Sequence, residues 1–113
     1  MLELRIPDFN NVICSAIDDT VREVLGERIL HDMYQTLENQ YGIGRDELPY
    51  RNDTMYQVLE TKYSVPGANT MAPLIAEKLY AKLGLTFYVI EGYALRDYIR
   101  DAELKITKAT AHR

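Results

Sequence analysis

Residues 9–42 read FNNVICSAIDDTVREVLGERILHDMYQTLENQYG, two apolar periodicities parted by one glycine. Phe9, Val12, Ile13, Ala16, Ile17, Val21, Val24 and Leu25 recur at spacings of three and four, the period of one buried helical face. Pro7 and Asp8 mark the start of that helix, because proline is tolerated in a first turn and an aspartate there complements free amides. Gly26 is placed to end or kink it. Ile29, Leu30, Met33, Tyr34, Leu37 and Tyr41 then repeat the pattern, and Gly42 follows as the left-handed residue that commonly closes a helix. The prediction is a second helix over residues 27–41.

Gly42, Gly44 and Pro49 bracket a turn-rich connection. Asn52 or Asp53 can cap a short third helix carrying Met55, Tyr56, Leu59 and Tyr63, which Val65, Pro66 and Gly67 break. Asn69 or Thr70 caps a fourth, with Pro73 in its first turn, a buried face of Leu74, Ile75, Leu79 and Leu83, and Gly84 as the stop. After Gly92, the residues Leu95, Tyr98, Ile99, Ala102 and Ile106 keep helical spacing to about Thr107. Residues 108–113 read as a flexible tail, which leaves residues 1–107 as a single helical domain. Two stretches have extended character. Leu85–Ile90 is aromatic and β-branched, and Leu2–Ile6 alternates apolar and charged residues. Pairing of 2–6 with 86–90 would add a short two-strand β element to a mainly α, compact bundle of about five helices.

The chain has 113 residues, too few for two independent cores, and its 47% apolar and 27% charged content is that of a globular protein rather than a disordered one. A net charge of −4 disfavours a nucleic-acid backbone as partner. The single cysteine, Cys14, cannot form an internal disulfide, and its apolar neighbours predict an inert, buried thiol in a reducing compartment. Residues 1–11 lack the apolar segment of a signal peptide, and no apolar run approaches the roughly 20 residues that span a bilayer. These features predict a cytoplasmic protein without membrane association.

Catalytic, cofactor-binding and metal-binding residues are all expected to be absent. Asp18 and Asp19 project about 100° apart on a helix and so cannot easily share one ion; with Asp46 and Glu47, they are expected to be solvated. Glu27 and His31 share a helical face but make only half a metal site. There is no Ser-His-Asp order, phosphate loop or HExxH pattern, and Gly42-Ile43-Gly44 alone is too weak to read as one.

The composition does stand out in its nine tyrosines, beside two phenylalanines and no tryptophan. Tyrosine buries a large ring while keeping its hydroxyl wet, which suits a contact surface. Tyr56, Tyr63, Tyr80, Tyr88 and Tyr93 are the candidate interaction residues. Lys78 and Lys82, one turn apart, are the nearest thing to a basic face and the candidate nucleic-acid contact, although lysines shielding an apolar helix are the commoner case.

Val24-Leu25-Gly26-Glu27, Leu37-Glu38, Tyr41-Gly42-Ile43, Glu47-Leu48-Pro49, Leu59-Glu60, Gly67-Ala68 and Leu79-Tyr80-Ala81-Lys82-Leu83-Gly84 together resemble a small archaeal helical domain. That domain is of the Nitrososphaeria output type, found alone and on two-component response regulators of ammonia-oxidising archaea. The resemblance covers about Ile17 to Phe87. Residues 64–73 depart from it, since the family has a plain glycine-alanine turn leading straight into the next helix. It implies a regulatory output or protein-interaction domain with no catalytic residues to carry over. The chain has no room for a receiver sheet, so a signal would reach it through a partner in a signalling or transcription pathway, or through a ligand. The expected state is a homodimer that meets partners through its tyrosine-rich surface. The alternative from another class is a dimeric DNA-binding transcriptional regulator using Lys78 and Lys82; a third is a ligand sensor with a pocket between helices.

Overall fold

The computed structural model describes residues 6–111. Five α-helices follow in order: α1 (Ile6–Leu25), α2 (Glu27–Tyr41), α3 (Asn52–Lys62), α4 (Ala72–Leu83) and α5 (Leu95–Ala111). Single 3-10 turns at Arg45–Glu47 and Ala68–Met71 precede α3 and α4 respectively. None of these helices is long and apolar enough to cross a membrane.

Gly26 alone separates α1 from α2. Its φ of 99° and ψ of 159° lie in a region open essentially to glycine. In that conformation its N–H donates to Arg22 O at 2.9 Å and its carbonyl accepts from Leu30 N at 3.2 Å, so one residue closes one helix and opens the next. At the other end of α2, Gly42 N donates to Glu38 O and Ile43 N to Leu37 O, satisfying the last carbonyls. The bulge ahead of α3 is tied down by its own polar groups. Glu47 accepts from Gly44 N at 2.9 Å, and Asn52 Nδ2 donates to Pro49 O at 3.2 Å.

Helix α1 is the central element, packing on α2, on α4 and on the first 3-10 turn, while α3 leans on α2 and α5 on α4. Ile13, Ile17 and Val21 of α1 share one buried cluster with Met33 and Leu37, with Met55 and Leu59, with Ile75 and Leu79, and with Leu95 and Tyr98. Each fully buried side chain of this kind contributes about 1.5–3 kcal/mol relative to exposure. Ion pairs and hydrogen bonds rim the core. Asp18 accepts from the Tyr34 hydroxyl and from Arg45 Nη2 at 2.7 Å, joining α1, α2 and the first 3-10 turn.

Several expectations need correction. Residues 86–90 form no strand, and among the described residues there is none for them to pair with. Residues 2–5 lie outside the described part, and Ile6 is already helical. Helix α5 continues past Thr107, the end expected from spacing, to Ala111. The fourth helix starts only at Ala72, because Asn69 and Thr70 belong to the 3-10 turn, where Thr70 Oγ1 donates to Gly67 O at 2.7 Å. Val24 and Leu74, assigned to buried faces, are both exposed and line a shallow groove between α1 and α4. The buried stripes of those helices are narrower than their apolar stripes.

Candidate interaction surface

The chain between α4 and α5 crosses a platform of aromatic rings. Gly84 ends α4, and Leu85 N donates to Tyr80 O at 2.8 Å, turning the backbone across that helix. Residues 85–88 then alternate strictly: Leu85 and Phe87 pack on the core while Thr86 and Tyr88 face out. Phe87 meets Tyr80 edge-on, with ring centroids 5.2 Å apart, and Tyr98 at 5.5 Å; Tyr93 meets Tyr98 at 5.1 Å. Edge-to-face pairs of this kind contribute about 0.5–1.5 kcal/mol beyond their area.

The two platform tyrosines are fastened by their hydroxyls. Tyr98, only 1% exposed, accepts from Ile90 N–H at 2.9 Å and donates to Ile90 O at 3.3 Å, doing for that residue what a neighbouring strand would do. Tyr80, 2% exposed, donates to Asp101 Oδ2 at 2.5 Å, and the Tyr98 carbonyl lies 3.0 Å from the same hydroxyl. Burial and the Asp101 carboxylate push the Tyr80 hydroxyl well above the ordinary tyrosine range. Reciprocally, the Tyr80 hydrogen bond holds Asp101 below the usual carboxylate range, with help from Lys105 at 3.1 Å.

On top of this platform sits an exposed apolar strip. Tyr88 is 71% exposed, Val89 69%, Ile90 40% and Tyr93 38%. The backbone groups of Thr86, Phe87, Tyr88 and Val89 make no hydrogen bond among the described residues. A β-branched, aromatic strip with a free backbone can take another chain's main-chain donors and acceptors together with its apolar side chains.

Of the five tyrosines expected at a common surface, Tyr88 and Tyr93 are exposed, whereas Tyr80 is buried with its ring against Phe87 and Tyr98 and so belongs to the core rather than the surface. Tyr56 is a correction: it is 8% exposed on the inward face of α3, beside Met55 and Leu59, and its buried hydroxyl has no hydrogen-bond partner among the described residues. Tyr63 stands apart. It is half-buried, donates to Asp32 of α2 and lies 5.7 Å from Lys62 Nζ. Val89 and Ile90, in the β-branched run expected to be extended, are exposed beside Tyr88.

Lys78 and Lys82 face α1 rather than solvent alone. Lys78 Nζ lies 2.5 Å from Glu23 Oε2, and Lys82 Nζ 2.8 Å from Asp19 Oδ2. The hydrogen bond from Lys82 holds Asp19 below the usual carboxylate range. Neither aspartate of the Asp18-Asp19 pair is simply solvated: Asp18 joins three elements, and Asp19 also pairs with Arg22 at 3.2 Å. Cys14 is buried, with its thiol directed at Arg45 O at 3.3 Å, and burial raises its pKa. His31 is exposed, while Glu27 of the same face is engaged by Arg22 at 2.7 Å.

Fold and surface together define a small, mainly helical domain that carries, among its exposed apolar side chains, one run of aromatic and β-branched residues at Tyr88, Val89 and Ile90. Compared with protein-family models, with curated proteins and with solved structures, the chain matches none.

Proposed function

We propose that this chain is a non-enzymatic regulatory or protein-interaction domain that self-associates through residues 86–93, in the manner of an archaeal signal-transduction output module. The observation that carries the reading is the exposed Tyr88-Val89-Ile90 run with free backbone groups at residues 86–89. Single exposed apolar side chains are ordinary, but an adjacent set on an extended, unpaired backbone is a recognised liability unless something covers it. A second copy offers the same donors and acceptors in reverse order about a two-fold axis, so the strip is complementary to itself. A homodimer in the cytoplasm, presenting its remaining surface to a signalling or transcription partner, is the working picture. The nucleic-acid reading has less support, because Lys78 and Lys82 are both held in ion pairs with α1.

Sedimentation equilibrium over a wide concentration range tests the proposal, with Val89→Lys as the comparison. The wild-type chain is expected to form a dimer that the variant loses while keeping its far-UV circular dichroism. A wild-type monomer at every concentration, or an unchanged dimer in the variant, removes the proposal.

A further inference from the structure

A second feature lies away from the aromatic strip, in a groove of about 300 Å³ between the start of α1, the turn ahead of α3 and the outer side of α5. That volume is at the lower end of small-ligand sites, which run from about 300 to 1,000 Å³. We propose that this groove binds a free α-amino acid with an aromatic or branched apolar side chain.

The floor is apolar and preformed: Phe9, Ile13 and Pro49 line the groove, all three buried. Its rim is charged in both signs. Arg96 and Arg100, one helical turn apart on α5, line it with Asp53 and Glu103. These charges do not satisfy one another well. Arg96 Nη1 stands 3.6 Å from Asp53 Oδ2, beyond good hydrogen-bond distance, and the side chains of Arg100 and Glu103 make no ion pair or hydrogen bond among the described residues. A guanidinium fork takes a carboxylate through two parallel hydrogen bonds, and a carboxylate takes an ammonium.

A ligand carrying a carboxylate and an ammonium on one carbon, with an apolar body behind them, is complementary to that rim and floor together. A simple carboxylic acid would leave Glu103 opposed to its charge, and a simple amine would leave Arg100 so opposed. A peptide separates its two termini and cannot offer both charges from one carbon. Arg100 is assigned the carboxylate and Glu103 the ammonium, with the side chain over Phe9 and Ile13.

The test is an amide-resolved NMR titration of the full chain with L-phenylalanine, 3-phenylpropionate and phenethylamine as separate probes. Saturable shifts centred on Phe9, Ile13 and Arg100 are expected with L-phenylalanine, with each single-charge probe about tenfold weaker or more. Arg100→Gln and Glu103→Gln, both at exposed positions, are each expected to weaken L-phenylalanine by about tenfold while leaving the spectrum of the rest of the chain in place. No saturation by about 10 mM, equal binding of 3-phenylpropionate, or unchanged affinity in both variants would overturn the assignment.

Discussion

Removing one oxygen atom from either of two buried tyrosines should move stability in opposite directions. In Tyr98→Phe, the N–H and C=O of Ile90 lose the hydroxyl that serves them at 2.9 and 3.3 Å. Each net hydrogen bond contributes about 0.5–1.5 kcal/mol, and Ile90 is exposed enough for water to replace part of the loss, so the expected cost is about 1–2 kcal/mol. For a chain of this length that is a fall in Tm of roughly 4–8 °C. In Tyr56→Phe, by contrast, the lost hydroxyl had no partner among the described residues, and leaving a buried polar group so placed carries a desolvation penalty of about 1–3 kcal/mol. That variant should be as stable as the wild type or up to about 1 kcal/mol more so, the small void left by the oxygen offsetting part of the gain. Urea and thermal unfolding followed by circular dichroism measure both. If Tyr56→Phe is destabilised as much as Tyr98→Phe, hydroxyl partnering is not what distinguishes the two positions, and the reasoning fails.

Gly26→Ala should cost about 1–3 kcal/mol even though a Cβ there would meet nothing within 4 Å, because the strain lies in its φ of 99°; a variant melting with the wild type would contradict this. Cys14 should react with a thiol reagent only after unfolding, since burial both covers it and raises its pKa; rapid labelling of the native chain would show that α1 opens locally. Alkaline stability follows from the tyrosines. Burial and Asp32 push Tyr63 up to about 12, and burial raises Tyr34 and Tyr80 further. A folded pKa above the unfolded value of about 10 means that their contribution is complete below that pH and is lost as pH rises through the folded values. Unfolding free energy should therefore fall above about pH 10, in step with a delayed tyrosinate absorbance change; an early change with no loss of stability would refute the burial.

Helices α1 and α2 were legible because local signals agreed: apolar residues at helical spacing stop at Gly26 and Gly42, and the structure keeps both boundaries. Period alone does not reveal how wide a stripe the neighbours cover, which is why Val24 and Leu74 were placed inside and lie outside. Tyrosine was harder to place. Whether such a ring sits in the core depends on a partner for its hydroxyl, and Tyr80 finds Asp101 from a different helix, a pairing no local window contains. The strand expectation at 86–90 rested on side-chain preference, but preference needs a partner backbone, and here a single phenol from α5 takes that place at Ile90 alone. Lys78 and Lys82 looked like a basic face only because Glu23 and Asp19, their counter-charges, lie in α1.

The grip of Tyr98 on Ile90 also sets a length. With both main-chain groups of that residue already taken, any ladder built on this stretch stops at Val89, leaving four residues and a seam of about 13 Å. So brief a zipper holds poorly by itself, since isolated two-stranded pairings are marginal in water. Subunits joined along it would come apart on dilution, and the amount of protein present would act as the dial that sets how much of it is joined.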